Sequence, residues 1–344
     1  LYKFNSYVLG NVFKVPEHSL VIVYHYLRSV IKQIIEGNVT RDGLVWYKGE
    51  YRDPRDLPED ATIDCAMVIF GRQPTLHKKS LRAFFALLCD GDTIQLHHTV
   101  CEAYNADFDG DTMYTVQLFG SSKNEACKTI SVMQDLISEK DGSYTLALIQ
   151  DVALGIYCAT TYKNNAPAFE GRPGDYVYFN DLDELRMQLE YGDLPYYRPV
   201  VYDNGEHWYC STAGRILLNA SVPGCLTSAS FTDSWGIAKA VMGEGVDLSK
   251  FRELKYDMPW VTTKERPKGR EKAVKLGDIQ LEVYEIYGER QSIITTQKLF
   301  EIGVIASDVY SVSISMDDMH VDTSYGPTPE NPNGGDRVED CLKV

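Results

Sequence analysis

Residues 105–111 read Asn-Ala-Asp-Phe-Asp-Gly-Asp, so one short connection carries carboxylates at alternating positions, Asp107, Asp109 and Asp111. Negative charges this close repel one another unless a cation lies between them. Gly110 gives the backbone freedom to turn, so that the side chains can converge. The flanking stretches 93–98 and 113–119 read as strands, which would mount the loop rigidly. Hard oxygen ligands with no Cys or His among them favour Mg2+ over zinc or copper. Other readings compete. An EF-hand loop wants Gly at its sixth position and Glu at its twelfth; counted from Asp107 these are Thr112 and Leu118. An Asp-x-Asp phosphatase needs its first Asp at the tip of an apolar strand, and Glu102-Ala103-Tyr104-Asn105-Ala106 is a poor tip. A solvated acidic turn stays open on these residues alone.

At 344 residues the chain is long enough for two domains, and its 44% hydrophobic and 24% charged content is ordinary for a soluble globular protein. The best apolar run, Leu20 to Ile31, is interrupted by His25, Arg28 and Ser29, so no membrane span is expected. With no signal peptide visible, a cytoplasmic location is expected. The chain begins at Leu1 rather than Met, which suggests a processed product or an excerpt. Its eight cysteines form no Cys-x-x-Cys pair and are expected to be reduced, buried thiols, without a zinc site. A net charge of −15 argues against a chain that binds nucleic acid alone.

The expected organisation is α+β. Residues 1–26 read as strands, 27–35 as a helix and 37–62 as a surface excursion with a hairpin at Tyr47-Lys48-Gly49-Glu50. A buried strand follows at 65–70. The spacing of Leu81, Phe84, Phe85 and Leu88 predicts a short helix. Further on, the pattern predicts a helix over 124–138 capped by Asn124, and one capped by Asn180 or Asp181 that carries Leu182, Leu185 and Leu189. A hairpin is expected around Asn204-Gly205. His97 and His98 lack a suitably spaced third ligand and read as structural. Arg215, beside Gly214 on an expected strand, also reads as structural, and Asp317-Asp318 as a turn. The tyrosines around 174–209 suggest a packed surface that could meet another chain.

The heptapeptide 105–111, with Tyr104 before it and Thr112-Met113 after it, resembles the signature of the largest (β′-type) subunits of multisubunit DNA-dependent RNA polymerases. Weaker matches come in the family's order. Arg72-Gln73-Pro74-Thr75-Leu76-His77-Lys78 is similar to an Arg-x-Pro-(Thr/Ser)-Leu-His element, and Ile94 to Cys101 to the stretch that leads into the aspartates. Gln150 to Tyr157, Ser211 to Arg215 with Asn219, and Ser313 to Met319 resemble later segments. The resemblance spans about 8–26 and 65–320. It implies a double-psi β-barrel over 1–120 and a mixed α/β pore domain over 121–320; residues 321–344, with Pro327, Pro329, Pro332, Gly334 and Gly335 and little apolar matter, read as a disordered tail.

The activity so implied is nucleotidyl transfer of NTPs onto the RNA 3′ end. Asp107, Asp109 and Asp111 would hold a permanent Mg2+, and a second Mg2+ would arrive with the nucleotide. Arg72 and Asn105 would contact substrate; His77 and Lys78 would contact nucleic acid. Implied partners are DNA template, RNA transcript, a β-type second barrel and a C-terminal β′ piece with bridge helix and trigger loop. That piece is expected on another polypeptide, as in the divided polymerases of very large bacteriophages, some of which are packaged in the virion. Two departures bear on sugar selection: Gly71 stands where the family has Asn, and His18 where it has Arg. A two-barrel RNA-dependent RNA polymerase fragment and an inactive scaffold subunit are the alternatives.

Overall fold

The computed structural model describes residues 2–3, 19–22, 45–52, 56–58, 67–88, 94–132, 134–161, 177–232, 236–243, 245–257 and 275–310. His18, the expected helix 27–35, Ser313–Met319 and 321–344 lie outside the described residues. The chain is α+β and divides into two compact units, Leu1–Leu148 with Gln280–Ile293, and Ile149–Ile279 with Ile294–Val344.

The first unit contains β1 (Tyr2–Lys3), β2 (Ser19–Ile22), β3 (Val45–Tyr47), β4 (Glu50–Arg52), β5 (Met67–Gly71), β6 (Leu81–Leu88), α1 (Cys101–Tyr104), β7 (Thr112–Gln117) and α2 (Ser121–Thr129). Its five-stranded sheet runs β1-β7-β5-β6-β2. β2 lies parallel to β6, and the other neighbours are antiparallel. Among the described residues no closed barrel is found. The separate hairpin β3–β4 turns on Lys48 and Gly49, both at positive φ, as a two-residue primed turn requires. Downstream of it, Leu57 is buried against Met67, Phe85 and Cys127.

β5 and β6 are buried on both faces. Val68, Phe70, Phe84 and Ala86 enter a core with Tyr104 and Met113, where Phe70 meets Phe84 and Tyr104 edge-on. Met67, Ala83 and Phe85 enter a second cluster with Ala126 and Cys127 of α2. This corrects the helix expected over 81–88. A strand covered on both sides needs apolar residues without alternation, and in such a run helical spacing occurs by coincidence. The strand expected over 93–98 is also corrected. There Gln95 forms only a bridge, and His98–Val100 makes a 3-10 turn that runs into α1. The helix expected over 124–138 is shorter and earlier. Asn124 lies inside α2, buried, and its side-chain amide donates to the Pro58 carbonyl at 2.8 Å rather than capping.

The second unit contains α3 (Asp151–Thr160), β8 (Val177–Phe179), α4 (Leu182–Glu190), β9 (Pro199–Asp203), β10 (Trp208–Thr212), α5 (Ala213–Ser221), β11 (Leu226–Ser230), α6 (Ile237–Met242) and β12 (Arg252–Leu254). α7 (Leu276–Tyr310) is broken at Gly288 (φ 82, ψ 179); its Gln280–Ile293 stretch belongs to the first unit. The Asp181 side chain accepts from the Asp183 amide at 2.9 Å and so caps α4. β9 and β10 form the hairpin around Asn204-Gly205, where the Asn204 side chain accepts from the amides of Glu206 and His207.

Gly214 and Arg215 sit in the first turn of α5, not on a strand. A Cβ at 214 would fall 2.0 Å from the Ala159 carbonyl oxygen, so glycine is what lets α5 approach α3. Arg215 is fully buried; its Nε donates to the Thr160 carbonyl at 2.7 Å, and Asp257 lies 3.5 Å away. Among the described residues no helix is long and apolar enough to cross a membrane.

Candidate metal centre

α1 ends at Tyr104, and Asn105 turns the chain out of it in the left-handed conformation (φ 47, ψ 45) that Asn tolerates well. The amides of Asn105 and Ala106 bond back to the Glu102 and Cys101 carbonyls, each at 3.0 Å. The loop then runs to β7, which is fixed by pairing with β1 and β5 and by buried Met113. Phe108 packs against the core and stacks on buried His98, with ring centroids 6.4 Å apart. Pinning Phe108 inward leaves Asp107 and Asp109, on either side of it, exposed. Gly110 has φ 127 and open space where a Cβ would stand, so the conformation, not crowding, asks for glycine.

One carboxylate oxygen from each of Asp107, Asp109 and Asp111 lies within 4.8 Å of the others. Oxygens sharing one Mg2+ stand about 3–4 Å apart, so small side-chain rotations would close the set on a single ion. The donor set is all oxygen, as a hard cation requires. Within the loop, the Asp107 amide donates to Asp111 Oδ2 at 3.1 Å, and the Asp109 amide to Asp107 Oδ1 at 3.4 Å. A hydrogen bond to Asp107 and that neighbour's charge raise the Asp109 carboxyl above its ordinary pKa. Partial burial pushes Asp111 the same way. Hydrogen bonds from Arg72 and the Asp107 amide outweigh it and hold Asp111 below the usual range.

Arg72 leaves β5 and reaches this loop. Its Nε lies 2.8 Å from Asp111 Oδ2, its Nη2 donates to Asp111 Oδ1 at 3.0 Å, and its Nη1 to the Tyr104 carbonyl at 3.4 Å. The residues after it, 73–78, are exposed, with a cis Gln73–Pro74 peptide and Leu76 at 80% exposure. His77 is among them, and its carbonyl accepts from the Ser80 amide at 3.0 Å. Lys78 turns to Glu139, with Nζ to Oε1 at 2.5 Å. That hydrogen bond raises the Lys78 pKa and lowers the Glu139 pKa. Lys79 is buried, paired with Asp135 and donating to the Ile137 carbonyl at 2.9 Å.

The structure therefore brings Arg72 to the triad through Asp111, places exposed Asn105 at the loop's entry, and sets His77 and Lys78 on the exposed stretch. Sequence reasoning missed the Arg72–Asp111 pair, the His98–Phe108 stack and the two acidic partners of the lysines. Three of the four cross 39 residues or more, and none has a signal in its own neighbourhood. Gly71 also gains a packing cause: a Cβ there would fall 2.7 Å from the Tyr114 ring and 2.8 Å from Leu81 Cδ2.

Residues 53–132, which contain the Arg72 element and the aspartate loop, match the family model RNA polymerase Rpb1, domain 2. The DNA-directed RNA polymerase subunit beta′ of Streptococcus sanguinis (strain SK36) is 29% identical over 315 residues, which cover 86% of this chain and 24% of that one. For the same subunit of Streptococcus suis (strain 05ZYH33) the identity is 28% over 336 residues, covering 92% and 26%. For that of Sulfurimonas denitrificans (strain ATCC 33889 / DSM 1251) it is 36% over 167 residues, covering 48% and 11%. The chain spans about a quarter of the length of the first two relatives. Along most of its own length, this chain is similar to one stretch of the β′ subunits of DNA-directed RNA polymerases.

Proposed function

We propose that this chain carries the catalytic metal site of a multisubunit DNA-dependent RNA polymerase, as a β′-type part of the assembled enzyme. The observation that carries the reading is the convergence of Asp107, Asp109 and Asp111 on one loop, in a stretch that matches the polymerase family model. The chemistry is nucleotidyl transfer from an NTP to the RNA 3′-hydroxyl. Mg2+ held by the triad, with a second ion accompanying the triphosphate, supplies the acidification of that hydroxyl and the neutralisation of developing charge.

The chain's own residues do the rest. The three carboxylates fix where the reacting atoms meet, and Phe108 keeps the loop from drifting by holding to His98. Arg72 retains an N–H on each terminal nitrogen beyond its bonds to Asp111 and Tyr104, enough to meet a nucleotide sugar. Asn105, exposed at the loop's entry, takes the neighbouring substrate position. His77 and Lys78 form the edge that meets nucleic acid, where Lys78 would exchange Glu139 for a backbone phosphate.

The mixed sheet, with β6 inserted between β5 and the parallel β2, supports a double-psi barrel as the mount, followed by a pore domain from about residue 121. Template DNA, transcript, a second barrel and a bridge-helix piece belong to the same proposal. With a net charge of −15, this chain leaves most of the basic path to those partners. The kinship with polymerases of large bacteriophages is part of the reading, and mass spectrometry of the co-purifying chains tests it. The direct test is Asp109→Ala in the reconstituted enzyme: assembly stays intact and elongation is lost. Wild-type elongation by that variant removes the mechanism.

A further inference from the structure

We infer that Arg72 is a positioning residue for the metal centre, closing the aspartate loop across its two ends and fixing the plane of the Asp111 carboxylate. The inference rests on the triad being the cation site. It goes further, because it gives Arg72 a role that exists before any nucleotide arrives.

The loop leaves α1 at Tyr104 and joins β7 after Asp111. Arg72 holds both ends, Nη1 on the Tyr104 carbonyl at 3.4 Å and the Nε/Nη2 edge on Asp111 at 2.8 and 3.0 Å. The guanidinium is planar, so the Nη2 hydrogen bond and the Nε ion-pair contact along the same edge set the carboxylate's orientation as well as its position. Asp111 Oδ2 accepts a further bond from the Asp107 amide at 3.1 Å. A carboxylate offers roughly four lone-pair directions. The Nη2 bond and the Asp107 amide take two of them, the Nε contact crowds a third, and the remaining direction, on Oδ1, is left to face the cation. Asp111 is thus the fixed ligand of the three. Its side chain is 19% exposed and that of Arg72 18%, whereas Asp107 and Asp109 are exposed and, among the described residues, bond within the loop. Arg72 is itself held at the root, because Gly71 before it is the last paired residue of β5, opposite Tyr114 on β7.

A charge near Asp111 could be supplied by lysine; the fork could not. The experiment measures Mn2+ binding to the full chain by electron paramagnetic resonance, with no nucleotide present. Four proteins are compared: wild type, Arg72→Lys, Arg72→Gln and Asp109→Ala. Losing an outer partner that orients a ligand weakens metal binding by about 10- to 100-fold, and that is the effect expected for Arg72→Lys. Arg72→Gln serves if the lysine variant does not fold, as judged by circular dichroism. Removing a positive charge alone would tighten cation binding there, so weaker binding is again the expected result. Binding equal to wild type, or tighter, in whichever variant folds overturns the inference while leaving the triad's role intact. A wild-type chain that binds Mn2+ no better than Asp109→Ala overturns both. In the assembled enzyme, the Arg72→Lys change raises the Mg2+ midpoint of activity. A raised KM for NTP at an unchanged Mg2+ midpoint would mean that Arg72 is a substrate contact only.

Discussion

Gly155 on α3 meets Gly303 on α7 backbone to backbone. A Cβ at position 155 would fall 1.8 Å from the Gly303 carbonyl oxygen, 2.8 Å from its carbon and 2.9 Å from the Ser307 nitrogen. Non-bonded heavy atoms attract best at about 3.5–4.0 Å, so Gly155→Ala must drive the helices apart or bend one of them. The obstacles are main chain and cannot rotate away. Overpacking costs about 1–3 kcal/mol, and an immovable obstacle places this case at the top of that range. Alanine's better helix propensity returns about 1 kcal/mol. The net loss is about 2 kcal/mol, or roughly 4–8 °C in Tm for a unit of this size. Gly277, in the first turn of α7 with nothing within 4 Å of a Cβ, is the control. The same substitution there should leave Tm unchanged or raise it. Thermal melts of the purified chain by circular dichroism compare the two. If Gly155→Ala melts with Gly277→Ala, the close approach of α3 and α7 is wrong.

Three further outcomes follow from the electrostatics. Because the Asp109 carboxyl is raised by its hydrogen bond to Asp107 and by that charge, it takes up a proton at a higher pH than an ordinary aspartate. As pH falls, protons therefore compete with the cation early, and Mn2+ binding should weaken at a higher pH than at an ordinary aspartate site; weakening only at or below the pH of an ordinary aspartate contradicts the coupling. Lys79→Met should destabilise the first unit by about 3–5 kcal/mol, since it strands the carboxylate of Asp135 beside the core. Lys78→Ala, at an exposed pair, should leave the melt unchanged and reduce the salt dependence of nucleic-acid binding in the assembled enzyme; equal effects on stability at 78 and 79 would contradict the burial assigned to Lys79.

Local chemistry was legible and distant pairing was not. The aspartate loop is recognisable because seven consecutive residues carry its three carboxylates, its turn and its inward anchor. The Asp181 cap and the Asn204-Gly205 turn are likewise bonded within three residues of themselves. The strand at β6 is hidden in the sequence because residues 82–86 are covered on both faces, and that covering comes from α2 and the core clusters rather than from the run itself. The helical placing of Gly214-Arg215 was hidden for a similar reason: the glycine serves a contact with Ala159, on another helix. Arg72 was singled out by its motif, but its bond to Asp111 crosses 39 residues and has no signature in either neighbourhood. The pairing of Lys78 and Lys79 leaves no trace in their own stretch, because Glu139 and Asp135 arrive from far along the chain.

Everything functional here depends on Asp107, Asp109 and Asp111 sharing one ion. An anomalous difference map of the assembled enzyme, crystallised in Mn2+ with template, transcript and NTP bound, inspects that directly. The account predicts a peak about 2–2.3 Å from an oxygen of each carboxylate. Clear density for the loop, with its acidic groups turned away from one another and no peak among them, would contradict it.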